Sequence, residues 1–140
     1  MNASVEEMFV KAFIEKRIQD RIIFELSSSK NRSKAVSRFA HTTDDIINSK
    51  YVFLKSNKLT SFEIEVELIK HCGKNKYVYI ISMNEFDGKS LPFKDALKIC
   101  IDDYMPSIII CSEKVVFIKT EVMDGLPMKY ILVKNSFKEK

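Results

Sequence analysis

The sequence predicts an α/β (or α+β) domain in which a helical N-terminal third packs on a mixed sheet, and three observations carry that expectation. Residues 1–49 read as helices, and from residue 50 apolar strand-like runs alternate with helix-period segments as far as Cys111. That alternation implies parallel strands joined by right-handed crossover helices. Two further apolar runs after Cys111, separated by turn residues, imply a C-terminal antiparallel three-strand meander.

Ser4 followed by Glu7 has the form of a capping box, and Val5 to Leu26 contains no glycine or proline, so one helix of about six turns is expected there. At 100° per residue it carries two apolar stripes. Val5, Met8, Phe9, Ala12, Ile23 and Leu26 form one, and Val10, Phe13, Ile14 and Phe24 form the other. Two stripes imply two neighbours, the second being further helices or another copy of the chain, which makes a homodimer through the first helix an expectation. Ser27 to Asn31 supplies a turn. Ser33 to Ala40 reads as a short helix with Ala35, Val36, Phe39 and Ala40 inward, and Thr42 or Thr43 caps another at Asp44 to Asn48.

Tyr51 to Lys55 reads as the first strand. Residues 60–72 alternate like a strand, but Thr60 with Glu63 forms a capping box, Leu59 and Ile64 a hydrophobic staple, and Gly73 a stop, so a helix is expected. Tyr77 to Met83 is the second strand, Pro92 to Tyr104 a helix with proline in its first turn, and Ser107 to Cys111 the third strand. Val115 to Glu121 and Met128 to Lys134 complete the meander, with Asp124 and Gly125 as the turn between them.

At 140 residues, 46% hydrophobic and 30% charged, with three glycines and three prolines, the chain has the composition of a single domain, 1–140. Residues 1–49 would be its helical part and 50–140 its α/β part. No apolar run approaches the ~20 residues that span a bilayer, so no membrane partner is expected. The charged, amphipathic start is unlike a signal peptide, and three cysteines without CxxC spacing suit reduced thiols, which together predict a cytoplasmic protein. His41 and His71 have no zinc-site spacing to Cys72, Cys100 or Cys111. No metal, cofactor or catalytic residue is assigned.

All four arginines, Arg17, Arg21, Arg32 and Arg38, lie within 22 residues, whereas 19 lysines are spread along the chain. A planar guanidinium fork binds carboxylates and phosphates with two parallel hydrogen bonds, which an ammonium cannot do. Residues 16–41 hold seven Lys and Arg against Asp20 and Glu25, and so carry the chain's positive excess. If the first two helices form a hairpin turning near Ser29, Arg21 comes level with Arg38 and Arg17 lies near His41. Arg17, Arg21, Arg32, Lys34, Arg38 and His41 are therefore the candidate anion-binding residues. The ordinary alternative pairs Arg21 with Glu25 and Arg17 with Asp20 along one helix, but no acid lies between Leu26 and Thr43 to serve Arg32 and Arg38.

A second candidate is the loop Asn84 to Leu91, with Glu85, Asp87, Lys89 and Ser90, because ligands of open parallel sheets bind beyond the carboxyl ends of the strands. Gly88-Lys89-Ser90 looks like the end of a phosphate loop, but Met83 stands where its first glycine is required, and an Asp-Gly turn explains the segment as well. His41 with Asp44 and Asp45 could form a base and orienting pair, although no nucleophile is placed beside them. The expected function is a non-enzymatic binding module for an anionic partner, either nucleic-acid backbone or acidic protein. The alternative is an enzyme or sensor for a small phosphorylated ligand, with the arginines as clamp and the 84–91 loop closing over it.

Overall fold

The computed structural model describes residues 2–73, 76–102, 105–121 and 126–134. Four helices come first: α1 (Ala3–Phe13), α2 (Lys16–Ser27), α3 (Arg32–His41) and α4 (Thr43–Ile46). After a 3-10 turn follow β1 (Val52–Ser56), α5 (Ser61–Cys72), β2 (Tyr77–Ser82), β3 (Ser90–Pro92), α6 (Phe93–Asp102), β4 (Ser107–Ser112), β5 (Val115–Lys119) and β6 (Lys129–Val133). The Asp124-Gly125 turn and the end of the expected helix at Tyr104 lie outside the described residues.

The six strands form one sheet in the order β1-β6-β5-β4-β2-β3, and every neighbouring pair is antiparallel. This corrects the expected parallel strands joined by crossover helices. Two features account for the difference. The crossover through α5 does connect strands of the same direction, β1 and β2, but β6, β5 and β4 lie between them. The short strand β3, hidden in sequence between a polar loop and Pro92, then turns the chain back against β2 before α6 begins. The next strand consequently enters antiparallel, with Tyr79 opposite Ile110 and Ser82 opposite Ser107.

Both faces of the sheet are covered. Tyr79, Ile81, Ile108, Ile110, Val116, Ile118, Tyr130 and Leu132 face the N-terminal helices, and Val78, Ile80, Ile109, Cys111, Val115, Phe117 and Ile131 face α5 and α6. Strict alternation between two apolar layers explains why β2, β4 and β5 read as continuous apolar runs. The helical part therefore shares a core with the sheet. No helix of the described residues is long and apolar enough to cross a membrane.

The single long first helix is also corrected, because the chain breaks between α1 and α2 without glycine or proline. The segment 46–48 takes over the backbone there. Ile14 bridges Ile47, Glu15 N donates to Ile46 O at 2.7 Å, and Asn48 N donates to Phe13 O at 2.8 Å. Groups that a continuous helix would pair internally are thus satisfied from outside, which removes the penalty for stopping. Both apolar stripes enter the same core: Val10, Phe13 and Ile14 are as buried as Phe9 and Leu26. The surface expected to receive a second copy is covered from within the chain, and of its residues only Phe24 is exposed, at 58%.

Local capping is mixed. Asn2, rather than Ser4, caps α1 by accepting from Val5 N, whereas the Thr60–Glu63 capping box forms as the sequence predicts and residues 61–72 are helical.

Candidate functional site

The four arginines divide by environment. Arg32, at the first turn of α3, is 6% exposed, and all five of its N–H donors are used. Nε donates to Asp87 Oδ2 at 2.7 Å, Nη1 to Glu6 Oε1 and to the Leu26 carbonyl, and Nη2 to Glu6 Oε2 and Asp87 Oδ1. Tyr79 OH donates to the same Glu6 carboxylate at 2.6 Å and accepts from Asn2 N. Burial alone would depress the Arg32 pKa, but the hydrogen bonds to Glu6 and Asp87 outweigh it and the net shift is upward. Burial, reinforced by Glu6, pushes the Tyr79 hydroxyl up to about 12. Arg32 thus ties α1, α2, α3 and the β2–β3 turn together, and its guanidinium has no donor left for an external anion.

The remaining three arginines do converge. Arg17, Arg21 and Arg38 line one open depression on α2 and α3 together with Ile18, Asp20 and Phe24. Arg38 is half-committed, since it forks onto Glu25 through two 2.9 Å hydrogen bonds. That fork holds the Glu25 carboxyl below its usual range despite burial, and the charges of Arg21 and Lys34 act in the same direction. Lys34 therefore belongs to the same positive field. Arg17 donates one Nη2 bond to the Asp45 carbonyl and is exposed. Arg21 is exposed, and no described group forms a hydrogen bond or ion pair with it at the distances found here. The local pairs considered from sequence, Arg17–Asp20 and Arg21–Glu25, are not formed as ion pairs; Glu25 turns to Arg38.

His41 lies apart from the arginine depression, 3.8 Å from Glu121, in a separate groove with Asp44, Asp45 and Tyr130. Asp44 is engaged by Lys55 at 2.8 Å and by the Tyr130 hydroxyl at 2.9 Å. The hydrogen bond from Lys55 holds the Asp44 carboxyl below its usual range against burial. Asp44 is therefore not oriented toward His41 as a base partner would be. Among the described residues no group of three His, Cys, Asp or Glu could hold a metal ion.

The loop after β2 is a closed hairpin turn. Gly88, at φ 78°, donates from its N–H to the Ile80 carbonyl at 2.7 Å, and Ile80 N donates back to Lys89 O. Asn84 Oδ1 accepts from Phe86 N and from Ser82 Oγ. Of the four candidate loop residues, Asp87 turns inward to Arg32 and Ser82 N, Ser90 pairs with Tyr79 in β3, Lys89 lies over the Phe86 ring, and Glu85 is exposed. None of them lines the arginine depression.

Sequence reasoning overlooked a polar row across the sheet. Ser56, Lys129, Lys119, Ser107 and Ser82 are successive cross-strand partners and share the α5/α6 face. Lys119 is 1% exposed and donates to the Cys100 carbonyl in the last turn of α6, where a cation complements the helix dipole, and Lys129 donates to Leu59 O. Among the described residues, the buried Ser107 Oγ has no hydrogen-bond partner. A lysine ending the apolar run Val115–Ile118 at an inward position was the available signal.

Compared with models of protein families, with curated proteins and with solved structures, the chain matches none.

Proposed function

We propose that the chain is a non-enzymatic binding module whose α2–α3 face receives a single-stranded nucleic acid, with Arg17 and Arg21 on phosphates and Phe24 under a base. The observation that carries this reading is the convergence of Arg17, Arg21 and Arg38 around an exposed phenylalanine in one open depression. Guanidiniums alone would suit any polyanion. An exposed aromatic ring among them adds a stacking platform, which an acidic peptide has little use for and a base does.

Shape favours this reading over a small phosphorylated ligand. The walls of the depression come from α2 and α3 alone, and the loop that would have to close over a small ligand is pinned to Arg32 through Asp87. Small-molecule sites bury most of their ligand, and an open face does not.

Fluorescence anisotropy of a labelled single-stranded oligonucleotide tests the proposal. Binding should weaken steeply with salt, Arg17→Ala with Arg21→Ala should weaken it and make its salt dependence shallower, and Phe24→Ala should cost about 1–3 kcal/mol. If polyglutamate competes as well as the oligonucleotide and Phe24→Ala has no effect, the partner is an acidic protein instead.

A further inference from the structure

Cys72 and Cys111, 39 residues apart in sequence, meet on the α5/α6 side of the sheet. Cys72 lies in the last turn of α5 and is half-buried, whereas Cys111 is buried in the core beneath it. Cys111 is the extra residue of a bulge between Ile110 and Ser112 in the β4–β5 ladder. A bulge leaves backbone groups outside the ladder and re-aims the side chain. Here the Cys111 carbonyl accepts the Cys72 thiol at 3.5 Å. The third cysteine, Cys100, is fully buried in α6.

The two thiols also differ in character. A hydrogen bond from Cys111 pulls the Cys72 thiol down to about 7 against its burial, with Lys76 adding to the effect, while the Cys111 thiol is pushed well up by Cys72 and by burial. Thiolate character together with partial exposure is what selects a cysteine for oxidation, and a second thiol in contact is what resolves the product.

We propose that Cys72 and Cys111 form a peroxide-responsive dithiol in which Cys72 is the reacting thiol and Cys111 the resolving one. The Cys72 thiolate attacks one oxygen of a hydroperoxide; the S–O bond forms as the O–O bond breaks, and the leaving oxygen departs as water or an alcohol after taking up a proton. The Cys111 sulfur then attacks the Cys72 sulfenic acid, forming the disulfide and releasing the sulfenic oxygen as water together with the Cys111 proton. Both sulfurs are oxidised by one electron each and the peroxide is reduced by two. The disulfide would fasten the end of α5 to the centre of the sheet.

Peptide mapping of the full chain after brief treatment with hydrogen peroxide tests this without any variant. The expected product is a single intramolecular cross-link between the Cys72 and Cys111 peptides, with loss of two hydrogens from the intact mass and reversal by dithiothreitol. Cys100→Ala should leave the cross-link unchanged, and Cys111→Ala should leave a sulfenic acid on Cys72 that dimedone captures. A cross-link through Cys100, or a chain whose Cys72 takes up neither a cross-link nor dimedone, overturns the proposal.

Discussion

The Arg32 guanidinium and the Glu6 carboxylate, 26 residues apart in sequence, meet side-on through hydrogen bonds of 2.8 and 2.6 Å inside the protein. With Asp87 on its other edge, Arg32 supplies the counter-charge for one buried and one half-buried carboxylate. Arg32→Ala should therefore cost about 3–5 kcal/mol of unfolding free energy, the range for breaking a buried pair. Arg32→Lys should recover little of it, because an ammonium cannot fork onto two carboxylates at once. Urea unfolding checks both, and a loss below about 1 kcal/mol for Arg32→Ala would show that the network is dispensable.

Glu25 and Asp44 set the acid side of the stability curve. Hydrogen bonds from Arg38 and Lys55 hold their carboxyls below the usual range, so the folded state prefers them ionised. That contribution is complete above the unfolded carboxylate pKa of roughly 4 and disappears as pH falls through the lower folded values. The thermal midpoint should fall as pH is lowered from about 5. In Arg38→Ala, Glu25 stays buried without its fork, its pKa rises, and the fall should begin at higher pH. Melting curves taken across the acid range decide this, and an onset unchanged by Arg38→Ala would contradict it.

Ser82 and Ser107 are paired across β2 and β4 and make opposite predictions. Ser82 Oγ donates to Asn84 Oδ1 and helps to shape the hairpin turn, so Ser82→Ala should cost about 1 kcal/mol. Ser107 Oγ has no hydrogen-bond partner among the described residues, so Ser107→Ala removes a buried polar group that contributes no hydrogen bond there, and should be neutral or stabilising by up to about 1 kcal/mol. Paired urea titrations read the difference. Equal losses at the two positions would mean that the Ser107 hydroxyl is satisfied.

What could be read from the sequence follows the range of the interactions involved. The helix over 61–72 was legible because Thr60, Glu63 and Gly73 act within a few residues of one another. The break after Phe13 was not, because what ends α1 is the backbone of residues 46–48. Strand β3 was hidden because it has three residues and ends in proline, and with it went the direction of every later strand relative to β2. The same logic applies to the arginines. No acid near Arg32 in sequence suggested a free cation, while Glu6 and Asp87 reach it from 26 residues before and 55 after. Hairpin geometry, which depends only on two adjacent helices, put Arg21 level with Arg38 and Arg17 near His41; Arg17, Arg21 and Arg38 do line one depression, whereas His41 lines a separate groove.

The central claim is that Arg32 serves the fold whereas Arg17 and Arg21 serve a partner. The most direct measurement is the salt dependence of oligonucleotide affinity for the wild-type chain and for Arg17→Ala with Arg21→Ala, with the unfolding free energy of each measured alongside. The account predicts a log–log slope of about −0.7 per phosphate contact in the wild type, a slope shallower by about 1 to 1.5 in the double variant, and stabilities within about 0.5 kcal/mol of each other. Affinity that is independent of salt, or a folded double variant that binds as the wild type does, would contradict it.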